Sequence, residues 1–356
     1  MSEYARELRR LVDSVVPDDG GAVTDDRARE VWRQLRELGL PRIGTPEPRG
    51  GSGGTLDDLL VVVESLAAHG VGVPVVESSV ADWVISHARP LDDSPATIAL
   101  DPPPRAVRAD AGAGTLTGEL TAVPWAPEAA LLVIVRAGHE SLIVDLRHES
   151  VRVRDGENLA GEPRDTVSLD GTPAVPIATG PGREAVRARL ALLWSAAVAG
   201  AAHGAYRLTK AYVSERRQFG APLLRLPAVS SGLALMRVQL LQADAAVAVA
   251  REAVSAATER AAAGPSVDMV PDEVASAVAV ARVTTARTAT EVARAAHQLH
   301  GAMGITQEYP LHHFTRRLWS WRDAVAGERD WADELGRRAA RLGEETVWTR
   351  LTGVGA

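Results

Sequence analysis

Three stretches rich in Ala, Leu and Val fill the second half of this chain: from Gly182 to Tyr212, from about 227 to 263, and from Asp272 to about 299. Only short segments such as Gln218-Phe219-Gly220-Ala221-Pro222 and Gly264-Pro265 separate them. Runs of this length are too long for strands and fit helices punctuated by Gly and Pro. Leu190, Leu193, Trp194, Ala197, Ala201, Gly204, Leu208 and Tyr212 fall on one helical face. Gly200 and Gly204 carry no Cβ and leave room there for a close neighbour. Two more helices are expected over about 308–325 and 328–350. Long helices joined by short loops bury their apolar faces against one another, so residues 180–356 are expected to form a four-helix-type bundle.

The first 92 residues also read as helical. Leu8, Leu11, Val12 and Val15 give a first amphipathic helix over 3–16. Thr24 is a candidate N-cap for a second, with Asp25 and Asp26 near its positive end and Gly39 as its stop. A Gly/Pro loop follows over 41–54, then helices over about 56–69 and 74–87. From residue 93 the pattern changes. Pro102-Pro103-Pro104 excludes helix. Short β-like runs follow at Thr115–Thr117, Leu131–Val135, Leu142–Val144, Val151–Val153 and Thr166–Leu169, with turns at Gly138, Gly156 and Asp170-Gly171. A small antiparallel sheet or barrel is expected over 93–179. The class is α+β: helical domain, small β domain, helical bundle.

Composition removes several functions. The formal net charge of -7 argues against a nucleic-acid surface. With no cysteine there are no disulfides, thiolate catalysis or Cys-held metal. The charged start Met1-Ser2-Glu3-Tyr4-Ala5-Arg6 is unlike a signal peptide, and no uncharged apolar run of about 18 residues stands out, so a cytoplasmic protein without a membrane span is expected. No P-loop or G-x-G-x-x-G opening a βαβ unit occurs. His297 and His300 have a spacing that can hold a metal, but without a third ligand they read as a packed or solvent-facing pair. His312-His313 reads as surface or interface, and Trp319, Trp321 and Trp331 as core or subunit contact.

Four motifs, in order, resemble the acyl-CoA dehydrogenase family. They are Val31-Trp32-Arg33-Gln34-Leu35-Arg36-Glu37-Leu38-Gly39-Leu40 with Pro46-Glu47 and Gly50-Gly51-Ser52-Gly53-Gly54, then Arg216-Arg217-Gln218-Phe219-Gly220-Ala221-Pro222-Leu223, then Gln298-Leu299-His300-Gly301-Ala302-Met303-Gly304, then Glu308-Tyr309-Pro310-Leu311. The resemblance implies FAD, an acyl-CoA substrate, α,β-dehydrogenation and a dimer or tetramer. It places Arg216 and Phe219 on the ADP half of FAD and Gln218 among the FAD contacts, with Gln298, Gly301 and Gly304 meeting the same FAD from another subunit. A pyrophosphate favours a guanidinium and closely approaching backbone, which suits these residue types.

Where the family keeps its carboxylate base, this chain differs. Counting from Glu308 puts one base position at Val325, or at Ala326 with a one-residue shift. Counting back from Arg216 puts the other at Leu190. None can take a proton. Asp323 and Glu328 are the nearest acids, off register. The β segment lacks the family's Gly-Ser-Asp loop, and Trp125, followed by Ala126-Pro127, does not fit its flavin-side strand. The pattern resembles the small, degenerate subunit of the heteromeric, heterotetramer-type enzymes that actinobacteria use in lipid or steroid breakdown. It implies a larger homologous partner that supplies the base. Two alternatives stay open: a homo-oligomeric flavoenzyme using Glu328 or Asp323, and a flavin-free relative acting as lyase, dehydratase or scaffold.

Overall fold

The computed structural model describes residues 3–16, 25–100, 106–110, 112–136, 140–218, 220–262, 270–343, 345–346 and 349. Four helices come first: α1 (Glu3–Val15), α2 (Asp25–Glu37), α3 (Leu56–Ala68) and α4 (Val75–Ala88). Seven strands follow: β1 (Ala96–Leu100), β2 (Val107–Asp110), β3 (Thr115–Pro124), β4 (Leu131–Val135), β5 (Ser141–Asp145), β6 (Val151–Arg154) and β7 (Arg164–Ile177). Then come α5 (Arg183–Glu215), a two-strand hairpin of β8 (Arg217–Gln218) and β9 (Ala221–Pro222), α6 (Pro227–Ala262), α7 (Asp272–His300), α8 (Leu311–Arg322) and α9 (Glu328–Leu342). Thr24, the expected N-cap of α2, and the Gly138 and Gly264-Pro265 signals lie outside the described residues.

The chain packs as two compact units, one holding residues up to Ala28, Leu60–Gly72 and everything from Ala191, the other Arg29–Leu59 and Val73–Leu190. In the first unit, α5 has no solvent face over its middle: every residue from Ala191 to Ala202 is buried. The sequence suggested one apolar face, but Ala, Leu and Val surround this helix on all sides, and such a helix belongs inside. The two expected small-residue contacts are present. A Cβ on Gly200 would stand 2.3 Å from the Glu64 carbonyl oxygen, and one on Gly204 would stand 2.2 Å from the Phe314 ring. By length and composition alone α5 and α6 are each long and apolar enough to cross a membrane. The apolar window of α5 is 83% buried within the protein, the mark of a core helix, whereas that of α6 is 33% buried. The outward face of α6 carries Leu235, Val238, Leu241 and Val249.

The second unit contains the sheet, which departs from the antiparallel reading. Its order is β1-β4-β5-β7-β3-β2, with β6 also paired to β7. β1 and β4 run parallel, Ala96 opposite Leu131 through Leu100 opposite Val135, and every other pairing in this sheet is antiparallel. Neither β1 nor β2 is legible in the sequence, because both lie beside the Pro102–Pro104 break and are too short to show a period. The strands are also longer than expected. Asp170-Gly171 is not a turn between strands but a bend inside β7, with Gly171 at φ 62°. The core of this sheet is built from Leu116, Leu120, Val123, Leu132, Ile134, Val144, Val167 and Leu169.

Three helix limits also differ. Glu308, Tyr309 and Pro310 precede α8 rather than forming its first turn, since a residue before proline is pushed out of the helical region. α8 ends at Arg322 and not at 325, because Val325 adopts a left-handed φ of 72°. α9 stops at Gly343, which has φ 82°.

Candidate functional site

The three motifs of the bundle meet through their rings. Tyr212, one turn before the end of α5, stacks on His300 at the last residue of α7, with centroids 4.5 Å apart and planes 23° apart. Tyr309, from the segment before α8, packs on both, 5.6 Å from Tyr212 and 4.9 Å from His300. The Tyr212 hydroxyl donates to the His300 carbonyl oxygen at 3.4 Å. His300 is buried, and its Nδ1 meets the Ala296 carbonyl at 2.8 Å. Burial lowers its pKa, keeping the ring neutral and stackable. Its partner in the sequence, His297, meets the Thr315 hydroxyl at 3.0 Å instead. Among the described residues no His, Asp and Glu cluster suited to a metal occurs. His312 and His313 are half-buried, with ring centroids 3.9 Å apart. Trp321 and Trp331 are buried, as expected of core.

Around this ring cluster the predicted contact residues face outward. Arg216 follows the last residue of α5; its N–H donates to Tyr212 and its carbonyl accepts from Leu223, both at 2.8 Å. That fixes the backbone of Arg216 and leaves its side chain exposed. Gln218 is exposed on the β8–β9 hairpin, pairing Ala221. Gln298 is exposed on α7, two residues before His300. Phe219 lies outside the described residues. The two glycines differ in role. Gly301 has φ 59° and nothing within 4 Å of where a Cβ would stand, so its freedom shapes an open turn. Gly304 is buried, and a Cβ there would stand 2.9 Å from the His300 Cβ, so it serves packing against α7. Beside it Met303 and Ile305 are exposed apolar side chains. Together the segments present a guanidinium, two amides and an open glycine turn, a donor set that suits a pyrophosphate-bearing dinucleotide such as FAD.

The candidate base positions are inert in place. Val325 and Ala326 occupy the turn between α8 and α9, and Leu190 is buried on α5. The turn is held from beneath by Arg282, a buried arginine of α7 whose Nη2 donates to the carbonyls of Trp321, Arg322 and Ala324 at 3.1, 2.7 and 3.0 Å. Of the two acids, Asp323 is paired in both oxygens by Arg322, at 2.7 and 3.0 Å. Glu328 is held by Arg287 at 2.9 Å and lines an open groove of 930 Å³ between α6 and α7. Both acids are engaged by arginines and partly open to solvent, the opposite of a buried, poised base.

Three arrangements were not apparent in the sequence: the Tyr212–His300–Tyr309 cluster, Arg282 under the turn, and Arg189, buried on α5 beside Leu190. None leaves a local trace there: Arg187 and Arg189 stand alike ahead of the long apolar run.

Comparisons with known proteins bear on the family of the chain. A model of the acyl-CoA dehydrogenase N-terminal domain matches residues 2–88, and one of the acyl-CoA dehydrogenase C-terminal domain matches residues 186–322. The chain is 28% identical over 335 residues to acyl-CoA dehydrogenase FadE34 of Mycobacterium tuberculosis, covering 92% of this chain but only 44% of that protein. It is 26% identical over 324 residues to acyl-CoA dehydrogenase IpdE2 of the same organism, covering 88% of this chain and 91% of that one. Among solved structures, the ChsE4-ChsE5 complex from Mycobacterium tuberculosis shares the fold with a TM-score of 0.82 at 22% identity, covering 96% of this chain and 98% of that one. With two models of one family spanning more than half of its residues, this chain belongs to the acyl-CoA dehydrogenase family.

Proposed function

We propose that this chain is the non-catalytic subunit of a two-chain acyl-CoA dehydrogenase. In that role it helps hold FAD by the dinucleotide end while a homologous subunit supplies the carboxylate base. One observation carries the reading: the segments bearing Arg216, Gln218, Gln298 and Gly301 keep a bonded, outward-facing arrangement, while Val325, Ala326 and Leu190 offer no base and the nearest acids are tied to arginines. FAD, when bound, supplies the hydride acceptor for α,β-dehydrogenation of an acyl-CoA. The work of this chain is binding and orientation. Arg216 would pair with pyrophosphate oxygens, Gln218 and Gln298 would donate to polar groups of the nucleotide, and Gly301 would allow close approach of the backbone.

Two further points support a partner. The match spans less than half of FadE34, and what remains of that protein is long enough for a second chain of this size. The outward apolar stripe of α6 is a surface that a subunit contact would cover.

The test is purification of the tagged chain from its native host, with an absorbance spectrum and identification of what comes with it. The expected result is a yellow complex with a second, homologous chain. Arg216→Ala should weaken flavin retention roughly ten- to a hundredfold, the range for loss of one charge-assisted contact. A colourless chain without a companion would favour the flavin-free alternative. A chain that alone holds FAD and oxidises acyl-CoA would end the two-subunit reading.

A further inference from the structure

Ser78 and Asp82 stand one turn apart on α4, and each is only 4% exposed. Their polar ends are nevertheless not sealed. Both line a cleft of 440 Å³, within the range of small-molecule sites, roughly 300–1,000 Å³. Trp32 of α2 and Pro41 and Arg42 of the turn after it also line the cleft, as do Pro95 and Glu128. All of these residues belong to the sheet-bearing unit.

What Ser78 and Asp82 lack is a good donor. The Ser78 hydroxyl has no hydrogen-bond partner among the described residues and is open to the cleft rather than closed off. Asp82 has one opposite charge within 4 Å among those residues, Arg42, whose Nε stands 3.5 Å from Oδ2. That is long for a charge-assisted hydrogen bond. Arg42 is held at this distance from behind, since its Nη2 donates to the Asp92 carbonyl and its Nη1 to the Gly50 carbonyl at 3.5 Å. A buried carboxylate with so loose a partner favours a further cation. The rest of the cleft does not suit a lone cation, because its lining carries four arginines and four carboxylates. A balanced lining favours a ligand that bears both charges. In an α-amino acid the ammonium and the carboxylate are joined through one carbon, which lets them meet Asp82 and Arg42 side by side. Trp32, Pro41 and Pro95 add apolar surface for a side chain.

We propose that this cleft binds an apolar α-amino acid, with Asp82 and Ser78 taking the ammonium, Arg42 the carboxylate and Trp32 the side chain. Bound there, the molecule ties α2 and the turn after it to α4, and Asp82 gains the counter-charge that Arg42 supplies only in part. The proposal does not rest on the two-subunit reading.

Calorimetric titration of the purified chain with L-leucine, 4-methylpentanoate and isopentylamine tests it. The two analogues keep the leucine side chain and lose the ammonium or the carboxylate. The titrations belong at pH 8, since burial raises the Asp82 pKa to about 7 against the opposing effect of Arg42, and the ammonium needs the ionised form. Saturable millimolar binding of leucine is expected, at least tenfold tighter than either analogue. A smaller separation, or no saturable leucine binding below about 50 mM, overturns the proposal. Asp82→Asn keeps the shape and removes the charge. It should weaken leucine binding at least tenfold, and leucine should raise the heat-unfolding midpoint of the parent but not of this variant. A folded Asn variant that binds leucine like the parent would place the ligand elsewhere and refute the assignment. These measurements need neither flavin nor a second subunit, so the cleft and the two-subunit reading fail separately.

Discussion

Glu77 on α4 offers a quantitative test of the electrostatics in the sheet-bearing unit. It is 3% exposed. Arg164 Nη2 lies 3.2 Å from its Oε1, close enough for an ion pair, yet neither oxygen is aligned to accept a hydrogen bond. Burial is the largest influence and raises its pKa from 4.5 to about 7, with Arg164 opposing. The folded chain therefore holds a proton that the unfolded chain releases. Stability from this group is greatest below about pH 4.5 and falls as pH rises to about 7. The full cost above pH 7 is roughly 3 kcal/mol, at 1.36 kcal/mol for each pH unit between the two values. Glu77→Gln keeps the shape and removes the titration. The stability of the Gln variant relative to the parent should thus rise by about 3 kcal/mol from pH 4.5 to pH 8, whatever the fixed cost of losing the Arg164 pair. The assay is urea unfolding of both proteins at the two pH values, followed by tryptophan fluorescence. Since other groups titrate alike in both proteins, they cancel. A difference between the two proteins that does not change with pH would refute the reasoning. Asp82, buried and raised to about 7 mainly by desolvation, with Arg42 opposing, should behave the same way when changed to Asn.

Three further predictions follow from single contacts. Gly204→Ala should cost about 2–3 kcal/mol, since the new methyl would meet both the Phe314 ring and the Ala68 carbonyl; a lowered midpoint in denaturant melts checks it. Val325→Gly should add about 1 kcal/mol of stability by relieving a left-handed φ at a β-branched residue, and an unchanged or lower midpoint would count against strain at that turn. His300→Ala should loosen the junction of the three motifs by roughly 2–3 kcal/mol, seen as faster amide exchange in residues 212–218 and 301–309.

How much of this was legible beforehand follows from range. The long helices were readable because Gly and Pro punctuate them and because runs of Ala and Leu are locally decisive. Arg216, Gln218, Gln298 and Gly301 stand out in the sequence as parts of motifs, since their spacing is local. What joins them does not: Tyr212 and His300 stack although 88 positions apart in the chain, and no local pattern announces a ring contact of that kind. The parallel pairing of β1 with β4 is equally remote, joining Ala96 to Leu131 around two intervening strands. Buried arginines were missed for a different reason. Arg189 and Arg282 look in sequence like the polar side of a helix, and only packing shows that each points inward.

β7 has a consequence for how the chain is made. Its first half pairs with β3 and β6, and its last residues pair with β5, so one strand joins two otherwise separate sets. It is also the last of the seven to leave the ribosome. Until Arg164–Ile177 emerges, β5 and β3 each lack a neighbour and their backbone groups are open to pairing with other chains. The interval is short at ordinary synthesis rates, yet a pause there would leave the edges open to other chains. A slowed passage through residues 164–177 should therefore lower soluble yield, which expression with rare and with common codons over that stretch would measure.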